Sequence, residues 1–324
     1  MGATADSEAS RSETWTTRRL LRWIDGHLAS KGVESPRVCA EMLLSHVLGC
    51  ERLRLYMDAD RPASPDELER LRALVVRAGR HEPVQYLVGE AWFWSKRFAV
   101  GPATLIPRPA TEHLVEECIA IGRAAGAARG GEPVRILEIG TGTGCIAVCV
   151  ACGLAGQSPR GAEAGSAPRA PAVAATIVAT DLVPGALELA QANARSHGVA
   201  GTIDWRAGSL YAPLQAAEQG SFDLIVSNPP YVADEEWSEL APNVRDFEPR
   251  TALAGGPGGL DTLRPLLEQA PRWLRPGGRL VVEIGHRQRD AVLALAAANP
   301  RLQGAEVRPD FEGFWRMFVA TARG

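Results

Sequence analysis

Lysine is nearly missing from this chain. Lys31 and Lys96 are the only two among 35 basic residues, so almost all of the positive charge is arginine. Together with the excess of alanine, that bias reads as the mark of a GC-rich coding sequence rather than of a function. Acidic residues number 38 and the net charge is −3, which excludes a polycation that binds nucleic acid through bulk charge. Any nucleic-acid contact would need a local basic patch. No apolar run approaches the roughly 20 residues of a membrane-spanning helix. The first residues, MGATADSEASRSETW, have no apolar core, so no secretory signal is expected there. Asp6 stands where a myristoylation signal needs Ser or Thr. The six cysteines follow no secreted disulfide framework, which fits a reducing, cytoplasmic setting. There is no internal repeat.

What is present is ordinary globular sequence. Hydrophobic residues make up 46% and charged residues 23% of 324 positions, enough chain for about two domains. Residues 1–14 are expected to form a disordered tail. Residues 15–82 read as a helical domain. In RVCAEMLLSHVLG, residues 37–49, apolar positions recur at helical spacing and Gly49 suits a C-cap. In SPDELERLRALVVRAGR, Ser64 suits an N-cap, with Pro65 in the first turn and Glu67 three residues after the cap. Residues 83–109, aromatic and punctuated by proline, read as a connecting hairpin with loops.

Residues 110–324 alternate strands with helices. The strands are VRILEIG (134–140), ATIVATD (175–181), the weaker TIDWRAG (202–208), FDLIVSNPP (222–230) and RLVVEIG (279–285), and FWRMFVATA ends the series. Helical stretches such as PGALELAQANARSHG lie between most of them, so the expected fold is α/β, a mostly parallel sheet covered on both faces. One segment breaks the rhythm. Residues 153–172, GLAGQSPRGAEAGSAPRAPA, hold 13 Gly, Ala or Pro in 20 positions and are expected to be a flexible surface insertion.

EIGTGTG, residues 138–144, closes the first of these strands and opens a helix. Glycines let a backbone turn tightly and approach a ligand with no Cβ in the way, and a helix N-terminus adds free N–H groups. A nucleotide-type site also wants an acid at the end of the next strand, about 20 residues on, to accept from ribose hydroxyls. Asp181 ends that strand but lies 41 residues after Gly140; without the 20-residue insertion the gap is 21. The pattern is neither G-x-G-x-x-G nor a P-loop. With Glu138 before it, the loop resembles the first motif of class I S-adenosylmethionine-dependent methyltransferases. Glu138 could equally brace the loop by accepting from glycine N–H groups. Cys145, Cys149 and Cys152 share the C-x3-C-x2-C spacing of an iron–sulfur motif. They fall inside a predicted helix at offsets that put all three on one face, so they read as core residues and no metal is expected.

SNPPY, residues 227–231, ends the fourth strand. In the strand order usual for such sheets, 3-2-1-4-5, that exit lies beside the glycine loop, where ligands bind. An amide or amino nitrogen conjugated to a π system is a poor nucleophile, because its lone pair is delocalised. Two acceptors holding its two hydrogens favour a pyramidal nitrogen. The Asn228 side-chain carbonyl and the Pro229 backbone carbonyl can supply them. Prolines stiffen the exit, and Tyr231 offers a flat face to a planar group. The plain alternative is a proline-stiffened strand exit with no ligand.

The motif occurs in enzymes acting on adenine N(6) and on glutamine amides. The remaining stretches decide between them: EPVQYLVGEAWFWSKRFAVGPATLIPRPATEHLVE (82–116), FDLIVSNPPYV, FEPRTALAGGPGGLD (247–261), LRPGGRLVVEIGH (274–286) and the helical N-terminus. In combination and order they resemble the release-factor glutamine N(5)-methyltransferases, over roughly residues 15–324. The resemblance implies a small all-α domain before a Rossmann-like domain with a seven-stranded, mostly parallel sheet. It implies S-adenosyl-L-methionine as cofactor and methylation of the Gly-Gly-Gln glutamine of peptide chain release factors, hence a role in translation termination. The helical domain would help hold that partner. Cofactor binding falls on Glu138, Gly140, Thr141, Gly142, Thr143, Gly144, Asp181, Leu210 and Asn228. Glutamine binding falls on Asn228, Pro229, Pro230 and Tyr231, with Asn228 and Pro229 as the catalytic pair. Ser209 stands where many members have Asp, and Ala110 where the usual residue is Glu, although Glu112 remains. A cytoplasmic monomer without membrane or nucleic-acid partner is expected. The alternative is an adenine N(6) methyltransferase, which would need a basic face or a target-recognition domain.

Overall fold

The computed structural model describes residues 14–157, 171–310 and 312–324, and its contacts divide the chain into two units, at Gly89/Glu90. The first unit is helical: α1 (Thr17–Ser30), α2 (Pro36–Leu48), α3 (Arg54–Met57), α4 (Pro65–Ala78) and α5 (Val84–Val88). Gly49 ends α2 in the left-handed conformation at φ 63. Before α4 the Ser64 hydroxyl accepts from the Glu67 N–H, and the Glu67 carboxylate accepts from the Ser64 N–H. Ile24, Leu28, Leu43 and Leu44 are wholly buried at the centre. Burying each such side chain is worth about 1.5–3 kcal/mol.

The second unit opens with a hairpin of β1 (Glu90–Phe93) and β2 (Lys96–Ala99). Its turn residues Trp94 and Ser95 both have positive φ, 48 and 55, although neither is glycine. The twist of a two-residue hairpin favours that geometry. Glu112 holds it, accepting from the Trp94 N–H at 2.7 Å while the indole is buried. There follow α6 (Glu112–Ala128), β3 (Val134–Ile139), α7 (Cys145–Leu154), β4 (Ala175–Asp181), α8 (Pro184–Ser196), β5 (Ile203–Ala207) and β6 (Phe222–Ser227). After these come α9 (Pro242–Arg245), α10 (Arg250–Leu253), α11 (Leu263–Trp273), β7 (Leu274–Glu283), α12 (Arg289–Ala297), β8 (Leu302–Pro309) and β9 (Trp315–Ala322).

Seven strands form one sheet in the order β5-β4-β3-β6-β7-β9-β8. Pairing is parallel from β5 to β7, and β9 runs antiparallel to both its neighbours. The fold is the mixed α/β arrangement expected. One core packs α6, α7 and the hairpin aromatics against the sheet, and a second packs α11 and α12 against the other face.

Several elements differ from those expected. β7 begins at Leu274, five residues before the expected start, through a bulge opposite Phe222. β8 has no counterpart among the expected strands. The segment expected to be a flexible insertion from residue 153 begins inside α7, where Gly153 and Leu154 are buried. A Cβ on Gly153 would lie 2.2 Å from the Ile119 side chain, so its smallness serves close helix packing rather than flexibility. Residues 158–170 of that segment lie outside the described residues, as do 1–13 of the expected tail. Cys145, Cys149 and Cys152 are buried in α7, and all ten residues of that helix are buried. Burial raises all three thiols, Cys145 to about 12.

Candidate active site

β3 and β6 are adjacent, with Ile139 opposite Ser227, so the glycine loop and NPPY leave the sheet side by side. Between them lies a cavity of about 390 Å³, within the usual size of small-molecule sites. Gly140, Thr141, Gly142, Thr143, Asp181, Leu210, Asn228 and Pro230 line it. Of the other expected site residues, Gly144 is turned to the packing of α8, where a Cβ would lie 3.0 Å from Ala190. Glu138, Pro229 and Tyr231 are outside the lining; Glu138 and Pro229 are buried and Tyr231 is half-buried. Ser209 lines the cavity and is exposed, and Ala110 sits in the short 3-10 turn Pro109–Thr111.

The glycine loop is held mostly through its backbone. The N–H groups of Gly140 and Thr141 both donate to the Thr180 carbonyl at 2.9 Å. Asp181 takes one donor on each oxygen, Gly142 N–H at 2.8 Å and Val183 N–H at 2.9 Å. Asn193, buried on α8, donates to the Thr143 carbonyl and exchanges two bonds with the Ala99 backbone, tying the loop to β2. Glu138 accepts from the Thr141 hydroxyl at 2.6 Å and the Ala147 N–H at 3.1 Å, so it braces the loop and the start of α7 rather than the glycine N–H groups. Its other oxygen is buried with no partner, and burial pushes the carboxyl up to about 8.

The exit of β6 is held by side chains from far along the chain. Asn228 Nδ2 donates to the Thr111 hydroxyl at 3.1 Å. Thr111 donates to Glu283 at 2.7 Å, and the Tyr231 hydroxyl donates to the other Glu283 oxygen at 3.1 Å. Beneath Tyr231, Gln288 donates to the carbonyls of Tyr231 and Gly259. That contact requires glycine: at Gly259, φ is +70 and a Cβ would lie 2.1 Å from the Tyr231 carbonyl oxygen. Arg108, on the loop that walls the cavity, pairs with Glu248, which also accepts from the Ile106 N–H. Thr111, Asn193, Glu248 and Glu283 carried no role in the sequence reading. Three of them lie in the stretches that bear the family resemblance, but their partners are remote in sequence.

The cavity suits a nucleoside with a charged tail. A carboxylate oxygen accepts more than one hydrogen bond, so each Asp181 oxygen keeps capacity for a ribose hydroxyl. Gly142, at φ +54, has nothing within 4 Å of where a Cβ would stand.

A glycine-lined cavity outside the carboxyl ends of parallel strands, where the order reverses, is where open α/β sheets bind cofactors. Residues 140–235 match a methyltransferase family model, described as RMKL-like, and residues 19–89 match the PrmC N-terminal domain. The second unit is thus an S-adenosylmethionine-dependent methyltransferase domain. Full-length relatives narrow the class. The chain is 44% identical to a release factor glutamine methyltransferase of Geobacter sulfurreducens, over 88% of this chain and 89% of that one. Its identity to the proteins of that name from Chlorobaculum tepidum and Cereibacter sphaeroides is 39% and 38%, covering 84% and 93% of this chain and 86% and 96% of theirs. The chain belongs to the release factor glutamine methyltransferase family.

Proposed function

We propose that this protein methylates the side-chain amide nitrogen of the glutamine in the Gly-Gly-Gln motif of peptide chain release factors. Bound S-adenosylmethionine supplies a methyl group on an electrophilic sulfonium. Asp181 and the glycine loop hold the cofactor, with Leu210 against its base. Asn228 and Pro229 hold the two hydrogens of the target amide, so that its lone pair can turn toward the methyl. Pro230 and Tyr231 confine the amide plane. As the N–C bond forms the S–C bond breaks, leaving S-adenosylhomocysteine, and the amide nitrogen gives up one of its two protons to water; no side chain is asked to titrate, because the work is orientation.

The observation that carries the reading is Asn228. Its amide nitrogen is occupied by Thr111, and its place on the cavity wall leaves the carbonyl as the acceptor for a substrate N–H. An adenine amino group has the same two hydrogens, but the net charge of −3 offers no general attraction to nucleic acid. A cytoplasmic setting matches six cysteines that are all free. Among the described residues no helix is long and apolar enough to cross a membrane.

Incubation with methyl-labelled cofactor and, separately, release factor, DNA or RNA tests the reading. Label is expected in the release factor and is lost when its Gly-Gly-Gln glutamine is replaced. Label in nucleic acid alone would transfer the assignment to adenine.

A further inference from the structure

Glu283 closes β7 on the strand beside β6, and its carboxylate is 1% exposed. Its two oxygens meet two hydroxyls, from Thr111 and Tyr231. Two strand ends and the turn before α6 thus converge on one carboxylate from residues 111, 231 and 283. We propose that Thr111 and Glu283 are positioning residues that set which end of the Asn228 amide faces the target nitrogen; this rests on the role of Asn228 given above.

The argument is one of hydrogen-bond polarity. An ionised carboxylate only accepts. With Glu283 ionised, both hydroxyls beside it donate to it. Thr111 has a single hydroxyl hydrogen, and it is spent on Glu283 at 2.7 Å. Toward Asn228, Thr111 can then only accept, so the amide must present Nδ2, as it does at 3.1 Å. A flipped amide would set Oδ1 against a hydroxyl oxygen with no hydrogen left to give. The chain of bonds thus reads from Asn228 to Thr111 to Glu283, and its direction leaves Oδ1 for the substrate. The same carboxylate fixes the Tyr231 ring through its hydroxyl. Burial raises the Glu283 carboxyl, and the donors Thr111, Tyr231 and Asn228 and the charge of Arg316 offset part of that, so Glu283 itself also favours the Nδ2 end of the Asn228 amide.

A mere strand-end crosslink would hold these groups together without caring about direction. The two roles separate on variants that keep shape. Thr111→Val keeps the branched side chain and removes the hydroxyl. Thr111→Ser keeps the hydroxyl and removes the methyl. Glu283→Gln keeps the size but can donate as well as accept, so Thr111 is free to point either way.

Single-turnover methyl transfer to a release factor at saturating S-adenosylmethionine reads the effect. Calorimetric affinity for S-adenosylhomocysteine and thermal melting accompany it. Thr111→Val is expected to slow transfer about 10²-fold, the scale of losing one oriented polar group at a reacting centre. Glu283→Gln is expected to slow it as well, by about tenfold or more, while cofactor affinity stays within about twofold. Thr111→Ser is expected to return the rate to within about threefold of wild type. Transfer by Thr111→Val at the wild-type rate would overturn the inference. So would a Thr111→Ser rate as low as that of Thr111→Val, which would make the methyl group the operative part. Wild-type transfer decides the functional reading separately. Should the wild type methylate adenine in an oligonucleotide instead, the same variants are read on that amino group, to which the polarity argument applies unchanged. Transfer to neither would end both proposals.

Discussion

Two strand exits meet at the cavity, and they are held in different ways. The β3 exit is fixed largely through backbone groups, with Asp181 and Asn193 reaching it from 39 and 50 residues along the chain. Thr180 and Asp181 lie one strand away, and Glu138, Thr141 and Ala147 lie within ten residues of one another. The β6 exit hangs on Thr111, Glu283 and Gln288, which are 117, 52 and 57 residues from their partners Asn228 and Tyr231. The first arrangement fixes a glycine backbone and the carboxylate of Asp181, which a cofactor common to many enzymes can use. The second places side-chain groups with a defined direction, which is what discrimination of one –NH₂ requires. The difference suggests that damage to the first exit costs affinity and damage to the second costs rate.

Asn228 is where that distinction breaks first if it is wrong. Asn228→Ala is expected to lower single-turnover transfer by about 10² or more, since positioning and transition-state hydrogen bonds are each worth such factors. Its affinity for the cofactor, which Asn228 also borders, should change by far less than the rate. Asn228→Asp keeps shape and an acceptor but places a negative charge beside the sulfonium. That attraction stabilises the ground state and fades as the methyl leaves. The variant is therefore expected to bind S-adenosylmethionine at least as well as wild type and to transfer far more slowly. The aspartate also loses the Nδ2 donor to Thr111, within a network already holding the buried Glu283. Near-wild-type transfer by Asn228→Ala would show that the clamp is elsewhere and that the prolines merely stiffen a strand end.

The complementary experiment is on Asp181. Asp181→Ala removes an acceptor for ribose hydroxyls and frees the Gly142 and Val183 N–H groups. Losing a charge-assisted bond costs roughly 1.5–3 kcal/mol, or about one to two decades in affinity. Calorimetric titration with S-adenosylhomocysteine should register that loss, with a smaller change in melting temperature. Unchanged affinity would remove Asp181 from the cofactor site.

This contrast also explains what was legible beforehand. The glycine loop, Asp181 and NPPY are each a local pattern at the end of a buried strand, and burial on both faces makes such strands continuous apolar runs. The supports of NPPY could not be found that way, since no spacing links Thr111 to Asn228 across the sheet. β8 escaped for another reason. It is the edge strand, and only Leu302 and Val307 of its eight residues are buried, so its sequence reads as polar loop. The early start of β7 is hidden behind Pro276 and two glycines, which a bulge accommodates. Two left-handed residues at Trp94 and Ser95 were equally invisible, because the glutamate that holds that turn is 18 residues away.

Glu138 offers a smaller, pH-dependent test of the locally built exit. Its carboxyl is pushed up to about 8 by burial, well above the ordinary value in an unfolded chain. Between those two values the folded protein holds a proton that the unfolded chain has released. Stability is therefore fully present below the unfolded value and is lost as pH rises through about 8. Glu138→Gln cannot ionise and should lack that slope. Urea melts of the cofactor-free protein at several pH values between these limits are expected to show the variant gaining on wild type as pH rises. Parallel curves would mean that the carboxylate is ionised throughout, with its second oxygen satisfied by water.

The smallest effect is expected where the chain is longest. Asp181 reaches Gly142 because β4 pairs with β3 from Val134–Ala175 to Ile139–Thr180, not because of the number of residues between them. The ends of the connection are already tied: the Val173 N–H donates to the Leu154 carbonyl at 2.8 Å, and Lys96 donates to Gln157 at 3.2 Å. Removing residues 158–170 leaves both tied groups in the chain. Loop-closure entropy changes only with the logarithm of length, about 0.6 kcal/mol per halving, so the shorter connection should be neutral or slightly stabilising. Melting temperature is expected to shift by no more than about 2–4 °C and transfer to the release factor to continue at the wild-type rate. Unaltered melting with slower transfer would assign the segment to the substrate. A collapse in stability would show that it packs on the α7 end, and the spacing argument that led from Gly140 to Asp181 would then have reached the right residue by the wrong route.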